Sequence, residues 1–397
     1  MSPTGGRSLV RAAWTVAVAL LAILVLKTFV CDVKHVESSS MEPTIFGSPT
    51  DGESVLVLYG SFAPERFDCV VIQREGETIP IVKRVGGLPT ESVQVAGGDL
   101  LIDGKRLPPD APRPPPVLVF DGSRASAAGA FVPAAGKESS WKERADRWSL
   151  DARDVQHGSG DGLQSMHRPL SDGYLAPDGT LVRGEHDAND AVVECEVLFG
   201  EPHGRALFEL NEQGDTFRFS VEPTSSGRAI ARIARQSGAS PEEGLASEEF
   251  SLAIGTWTKF RCSNVDNELA FEIAGAEAPL CCSYAENRFD EGDRLQEGRS
   301  IGPRVRFGGE GGLFEFRSLR VLRDLYYTPR GTHGVTEPAD LGPDEYFLLG
   351  DNSASSRDSR EWGPVHGSRI LGRPVWVVWP PSRIRRLPAA VPGPCGR

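Results

Sequence analysis

Three short stretches of this chain carry residue types that can do chemistry. The first is Ser38-Ser39-Ser40-Met41-Glu42-Pro43-Thr44, three hydroxyls running into a proline-containing segment. A serine run alone also fits an ordinary polar loop. The second is Ile81-Val82-Lys83-Arg84-Val85-Gly86-Gly87-Leu88-Pro89. In a strand, alternate side chains share a face, so Ile81, Lys83 and Val85 point the same way. Aliphatic neighbours strip water from such a lysine, and desolvation disfavours the ammonium and lowers its pKa. A neutral lysine amine can take a proton from a serine hydroxyl. The plainer alternative is a lysine whose stem lies on a half-buried strand while its ammonium reaches water. The third stretch is Gly350-Asp351-Asn352-Ser353-Ala354-Ser355-Ser356-Arg357-Asp358-Ser359-Arg360, followed by Trp362-Gly363. It is dense in turn-forming and hydrogen-bonding residues, and alone it fits a surface loop.

The elements that must position these residues read as strands. Residues 32–107 are β-rich: 54–59, 69–72, 79–85 and 92–95 are short apolar runs separated by Gly, Pro and Asp. Asp103-Gly104 predicts a two-residue hairpin turn between Leu100–Ile102 and Lys105–Leu107. A proline-rich break from Pro108 to Pro116 then marks a stiff boundary. Residues 121–175 give no clear pattern. From 180 to about 324, runs such as 192–197, 206–210, 216–221, 256–260, 269–273 and 314–321 return to alternation of apolar and charged residues. That pattern predicts sheets with one buried face, arranged as an inserted β-sandwich or jelly roll. Residues 338–382 return to the style of the first β-region. The expected divisions are an anchor at 1–31, a first catalytic part at 32–110, an insert at 111–337, a second catalytic part at 338–382 and a tail at 383–397.

Residues Ala12 to Leu26 are almost wholly apolar, and Thr28-Phe29-Val30 continue beyond Lys27. The stretch to Val30 is about 19 residues, close to the ~20 that a bilayer requires. Arg7 and Arg11 precede it, which places the N-terminus in the cytoplasm and the rest of the chain outside. Small residues in the spacing of a cleavage site do not follow the apolar run, so an uncleaved transmembrane helix is expected. The formal charge of −12 disfavours a nucleic-acid partner. Seven scattered cysteines without a C-x-x-C pair disfavour a zinc site, and their odd number leaves at least one thiol free. Cys195, Cys262, Cys281 and Cys282 are candidates for a bridge in an exported insert, with buried free thiols the equal alternative. No metal or cofactor is expected.

Taken together and in this order, the three stretches resemble the boxes of bacterial signal peptidase I. That family shows a Ser-x-Ser-Met-x-Pro-Thr box, a Lys-Arg-Val box with Gly-Leu-Pro after it, and a Gly-Asp-Asn…Ser-x-Asp-Ser-Arg box. Arg66-Phe67-Asp68-Cys69-Val70-Val71-Ile72 resembles a fourth. The resemblance covers about 31–107 and 340–382. It implies a mostly β fold and a Ser/Lys dyad with Ser40 as nucleophile and Lys83 as general base. It further implies that the Ser40 N–H and Ser38 hydroxyl form the oxyanion hole and that Ser356 orients the lysine. Asp358 with Arg360, and Arg84 with Asp351, would be structural ion pairs, while Val36, Ile81 and Val82 would border the substrate pocket. Three positions depart from the pattern: Glu37 in place of Pro, Ser353 in place of Arg, and Thr90-Glu91 in place of Gly-Asp.

The insert resembles concanavalin-like lectin or glucanase sandwiches more weakly, which leaves carbohydrate binding, protein contact and a purely structural role open. The implied activity is removal of signal peptides from exported preproteins at the membrane surface. Its rivals are a relative dedicated to one partner and a membrane-tethered carbohydrate-binding protein. If Lys83 is the base, its amine is expected roughly 2.6–3.2 Å from the Ser40 hydroxyl, in contact with Ser356, with its pKa depressed by burial.

Overall fold

The computed structural model describes residues 14–18, 27, 30–60, 62–124, 129–134, 140–144, 147–212, 214–224, 227–285, 304–393 and 395. Most of the apolar stretch at 12–30, where the transmembrane helix is expected, lies outside them. Among the described residues, no helix is long and apolar enough to cross a membrane. The chain is mostly β and divides into two compact units, one formed by 1–105 with 327–390 and the other by 106–326 with 391–397.

The first unit is built on an antiparallel sheet. Its early strands are β1 (Cys31–His35), β2 (Ser54–Tyr59), β3 (Cys69–Ile72) and β4 (Ile81–Gly87). Across the sheet the order is β1, β2, Ile370–Trp379, β3, β4, Glu345–Leu349 and Val365–His366. Strands distant in sequence therefore alternate: Ile370–Trp379 lies between β2 and β3, and Glu345–Leu349 pairs with β4. The β3–β4 register sets Val70 against Lys83 and Cys69 against Arg84. β3 and β4 are buried along nearly their whole length, on both faces, while β2 and Ile370–Trp379 alternate buried with more exposed positions. Val71 and Val82 pack with Val36, Met41, Ile45 and Val55, while Val70, Ile72 and Val85 pack with Tyr346 and Leu348.

A small sheet joins Ser92–Ala96 to Asp99–Ile102 and Ala339–Asp340. Gly87 lets β4 approach it, because a Cβ there would stand 2.4 Å from Val93 Cγ2. The predicted Asp-Gly turn forms, with both Asp103 and Gly104 at positive φ. Its second arm does not extend into a strand. Lys105 makes a single bridge to Ile102, and Pro108-Pro109, which cannot donate to a ladder, follow.

In the second unit, one antiparallel sheet runs Leu280–Ser283, Glu268–Ile273, Thr258–Val265, Ala191–Phe199, Leu313–Arg323, Arg147–Asp151 and Trp141–Arg144, with Val117–Asp121 also on Leu313–Arg323. The other runs Glu243–Ser251, Arg228–Ser237, Asp215–Pro223, Arg205–Glu212, Val305–Glu310, Leu163–Met166 and Phe131–Pro133. Alternate residues from both enter one hydrophobic cluster, among them Phe199, Phe260 and Phe316 from the first and Phe208, Phe219 and Phe307 from the second. Cys195 and Cys262 are buried free thiols in that cluster. The bridge in this unit joins Cys281 to Cys395. The pairing thus uses one insert cysteine and one from the last residues of the chain, a partner that proximity in sequence did not suggest.

Candidate active site

Ser40 sits in a single 3-10 turn, Ser39–Met41, directly after β1 and its continuation. Met41 anchors the turn in the core, and the backbone of Ile45 donates to the Met41 carbonyl. Gly47 closes the loop against its start, since a Cβ there would lie 1.8 Å from the Ser38 carbonyl oxygen. The nucleophile candidate is thereby held by packing on one side and backbone contact on the other.

Lys83 comes from the middle of β4 and is only 2% exposed. Its Nζ lies 2.7 Å from Ser40 Oγ and 3.2 Å from Ser356 Oγ. Burial drives its pKa down to about 8, although the nearby carboxylates of Asp358 and Asp351 pull the other way. Ser38 Oγ lies 3.2 Å from Ser40 Oγ. The structure thus brings together Ser38, Ser40, Lys83 and Ser356 from three separate stretches of sequence. Val36, Ile81 and Val82 line a cavity of about 430 Å³ that also includes Ser38, Ser40 and Met41 in its wall.

Two buried ion pairs support this group. Arg84 Nε and Nη2 each donate to Asp351 at 2.6 Å, and its Nη1 donates to the Phe67 carbonyl at 2.6 Å. Thr44 joins the same carboxylate through its hydroxyl. Arg360 makes a fork to Asp358, with Nε at 2.9 Å and Nη2 at 2.8 Å. Asp358 also caps the short helix Ser359–Trp362 and accepts from the Gly350 N–H.

Ser353, one of the departures noted above, is a working member of this network. Its hydroxyl accepts from Arg360 Nη1 at 2.6 Å and from the Thr328 N–H at 2.7 Å. Ser359 accepts from the Leu348 N–H, and Asn352 reaches the Ser39 carbonyl. Sequence reasoning missed Thr328, Thr44, Asn352 and Ser359 as supports. Thr44, Asn352 and Ser359 lie inside the boxes, where a hydroxyl or amide beside a buried charge is a usable signal. Thr328 falls within the stretch expected as insert, at 111–337, and carries none.

Gly350 packs directly against both serines. A Cβ there would stand 2.2 Å from Ser356 Oγ and 2.5 Å from the Ser40 carbonyl oxygen. Gly350→Ala is expected to displace both serines and to cut kcat/KM on a cleavable peptide at least roughly a hundredfold, as small misplacements of reacting groups do. A rate within a factor of two of wild type would show that the site yields without cost.

Two buried hydroxyls and an amine with a lowered pKa, beside an apolar cleft, have the geometry for a lysine amine to take a proton from a serine hydroxyl. Residues 9–134 and 320–379, a little under half of the chain, match the family described as signal peptidase, peptidase S26.

Among curated relatives, the chain is 33% identical over 93 residues to signal peptidase I P of Bacillus subtilis subsp. natto, covering 23% of this chain and 49% of that one. It is 31% identical over 111 residues to signal peptidase I of Leptolyngbya laminosa, covering 26% and 54%. It is 49% identical over 57 residues to a probable thylakoidal processing peptidase 2, chloroplastic, of Arabidopsis thaliana, covering 13% and 16%. The chain thus spans about half the length of the curated bacterial relatives it matches, and less of the plant one. Among solved structures it is similar to a non-specific endo-beta-1,3(4)-glucanase from family GH16, at a TM-score of 0.32 and 10% identity, covering 55% of this chain and 94% of that one. That likeness is too distant to bear on function.

Proposed function

We propose that this protein is a membrane-anchored serine endopeptidase that cleaves signal peptides from exported preproteins. One observation carries the reading: a buried lysine amine 2.7 Å from a serine hydroxyl, on the wall of an apolar cleft. In this reading Lys83 accepts the Ser40 proton as Ser40 Oγ attacks the scissile carbonyl carbon. The Ser40 N–H and the Ser38 hydroxyl stabilise the oxyanion that develops. The protonated lysine then delivers its proton to the leaving amine, and a second round with water releases the acyl-enzyme. Ser356 fixes the aim of a side chain that is otherwise flexible. Val36, Ile81 and Val82 give the cleft a shallow apolar wall suited to small substrate side chains. The apolar N-terminal stretch supplies the anchor, with the catalytic unit on the outer side of the membrane.

The pH profile tests the base directly. A lysine with a pKa of about 8 is mostly protonated below that value and inactive as a base. The value of kcat/KM on a preprotein is expected to rise about tenfold per pH unit well below pH 8 and to level off above it. A rate flat from pH 6 to 9 would remove Lys83 from the role.

The second unit is read here as an inserted β-sandwich with a structural or protein-contact role. A polar cavity of about 220 Å³ on its seven-stranded sheet is lined by Glu209, Arg218, Arg306 and Glu310 among others. Those carboxylates are already paired within the unit, Glu209 to Arg218 and Arg306, and Glu310 to Arg205. Internal pairing favours a structural role over sugar binding.

A further inference from the structure

The cleft beside Ser40 and Lys83 contains one carboxylate that the protein itself leaves unused. Glu37 lies on the wall between buried Val36 and Ser38, and it is exposed. Among the described residues it makes no hydrogen bond and no ion pair. Every other charged or titratable side chain in the same wall is engaged. Lys34 lies 2.8 Å from Asp32, Glu77 lies 2.6 Å from Arg74, and His35 bonds the Ser48 carbonyl at 2.9 Å. The rest of the lining is largely apolar, with Val36, Met41, Val71, Ile79, Ile81 and Val82. Those residues select by size and shape and are indifferent to the sign of a charge.

Glu37 precedes Ser40 by three positions, so the chain places it within roughly 10 Å of the reacting serine. That is about one screening length at physiological salt, close enough for a substrate charge near the cut to feel it. We propose that Glu37 makes the cleft selective for charge: it favours substrates with a lysine or arginine at one position next to the scissile bond and disfavours aspartate or glutamate there. The inference rests on the peptidase reading above. It adds a substrate class, precursors with a basic residue close to the cleavage site, that the dyad alone does not imply.

The test uses the purified full chain in detergent and a set of peptides built on one apolar, cleavable reference. A single Lys or Glu is placed in turn at each position from four residues before the cut to two after it. The readout is the ratio of kcat/KM for the Lys peptide over the Glu peptide. At one position, or two adjacent ones, wild type is expected to favour Lys roughly two- to fivefold, the size of an exposed charge pair. The ratio is expected to fall towards one at high salt. It should fall likewise in Glu37→Gln and invert in Glu37→Lys. A wild-type ratio of one at every position, or a ratio unchanged in both variants, overturns the inference while cleavage of the reference peptide leaves the peptidase reading intact. Failure of wild type to cut even the reference peptide overturns both.

Discussion

Ser40→Ala and Lys83→Ala are each expected to lower kcat/KM on a preprotein by roughly 10⁴-fold or more, and the double variant is expected to be no worse than either single one. The reason is that nucleophile and base act as a unit, so losing one leaves the other nothing to do. Lys83→Arg is expected to fail as completely. A guanidinium stays charged at any usable pH and cannot accept the serine proton. Lys83→Met separates catalysis from folding. It keeps the length of the side chain and removes an ammonium whose burial is opposed by desolvation.

The folded pKa of about 8 lies below the ordinary 10.5, so the unfolded chain holds this proton more tightly. Through this group, stability therefore rises with pH between those two values, and the penalty is fully present below pH 8. Lys83→Met is accordingly expected to be inactive and no less stable than wild type at neutral pH. The checks are single-turnover cleavage of a preprotein and urea unfolding of the same preparations. Residual activity above about one per cent of wild type in any dyad variant would count against the mechanism.

Much of the catalytic unit was legible in the sequence because its signals are local. Ile81, Lys83 and Val85 alternate with the strand period, and the three boxes keep short fixed spacings. The strands at 69–72 and 81–87 follow from apolar runs covered on both faces, and the strand at 54–59 from an apolar run with one buried face. What was not legible depends on pairing at long range. Nothing in 370–379 announces that it inserts between β2 and β3, and the Thr328 contact to Ser353 spans positions with no common pattern.

The second unit shows the same limit. Arg228–Ser237 and Glu243–Ser251 form strands that the sequence reading left unassigned. In the first, Arg228, Arg232 and Arg235 break the apolar residues into short pieces, and the second is mostly exposed, so neither shows a long apolar run. The disulfide partner Cys395 was missed for a related reason. The last residues pack with the second unit although the first lies between them in sequence.

Breaking the Arg84–Asp351 pair is expected to destabilise the catalytic unit by about 3–5 kcal/mol, the usual cost of leaving one buried charge without its partner. Both side chains are fully buried. The guanidinium spends its donors on Asp351, the Phe67 carbonyl and Thr44, so the pair ties β4 to the loop after 349 and to the nucleophile segment at once. Asp351→Asn keeps the shape and removes the charge, which leaves Arg84 uncompensated. Arg84→Met leaves the carboxylate with the Thr44 hydroxyl as its remaining described partner.

The double variant, Arg84→Met with Asp351→Leu, buries no charge and is expected to be more stable than either single variant. It is nevertheless expected to cleave poorly. Arg84 is the immediate neighbour of Lys83, and Asp351 follows Gly350, which touches both Ser40 and Ser356. Without the pair, the ladder between β4 and Glu345–Leu349 remains, but the side-chain tie that holds Asp351 against Arg84 beyond the end of that ladder is gone. Hydrogen exchange at the amides of 81–87 and 345–351 reads the local stability free of the second unit, and the cleavage rate reads the geometry. If the single variants exchange as slowly as wild type, the pair contributes nothing to the fold. If the double variant recovers both stability and rate, packing alone positions the dyad and the charges are dispensable.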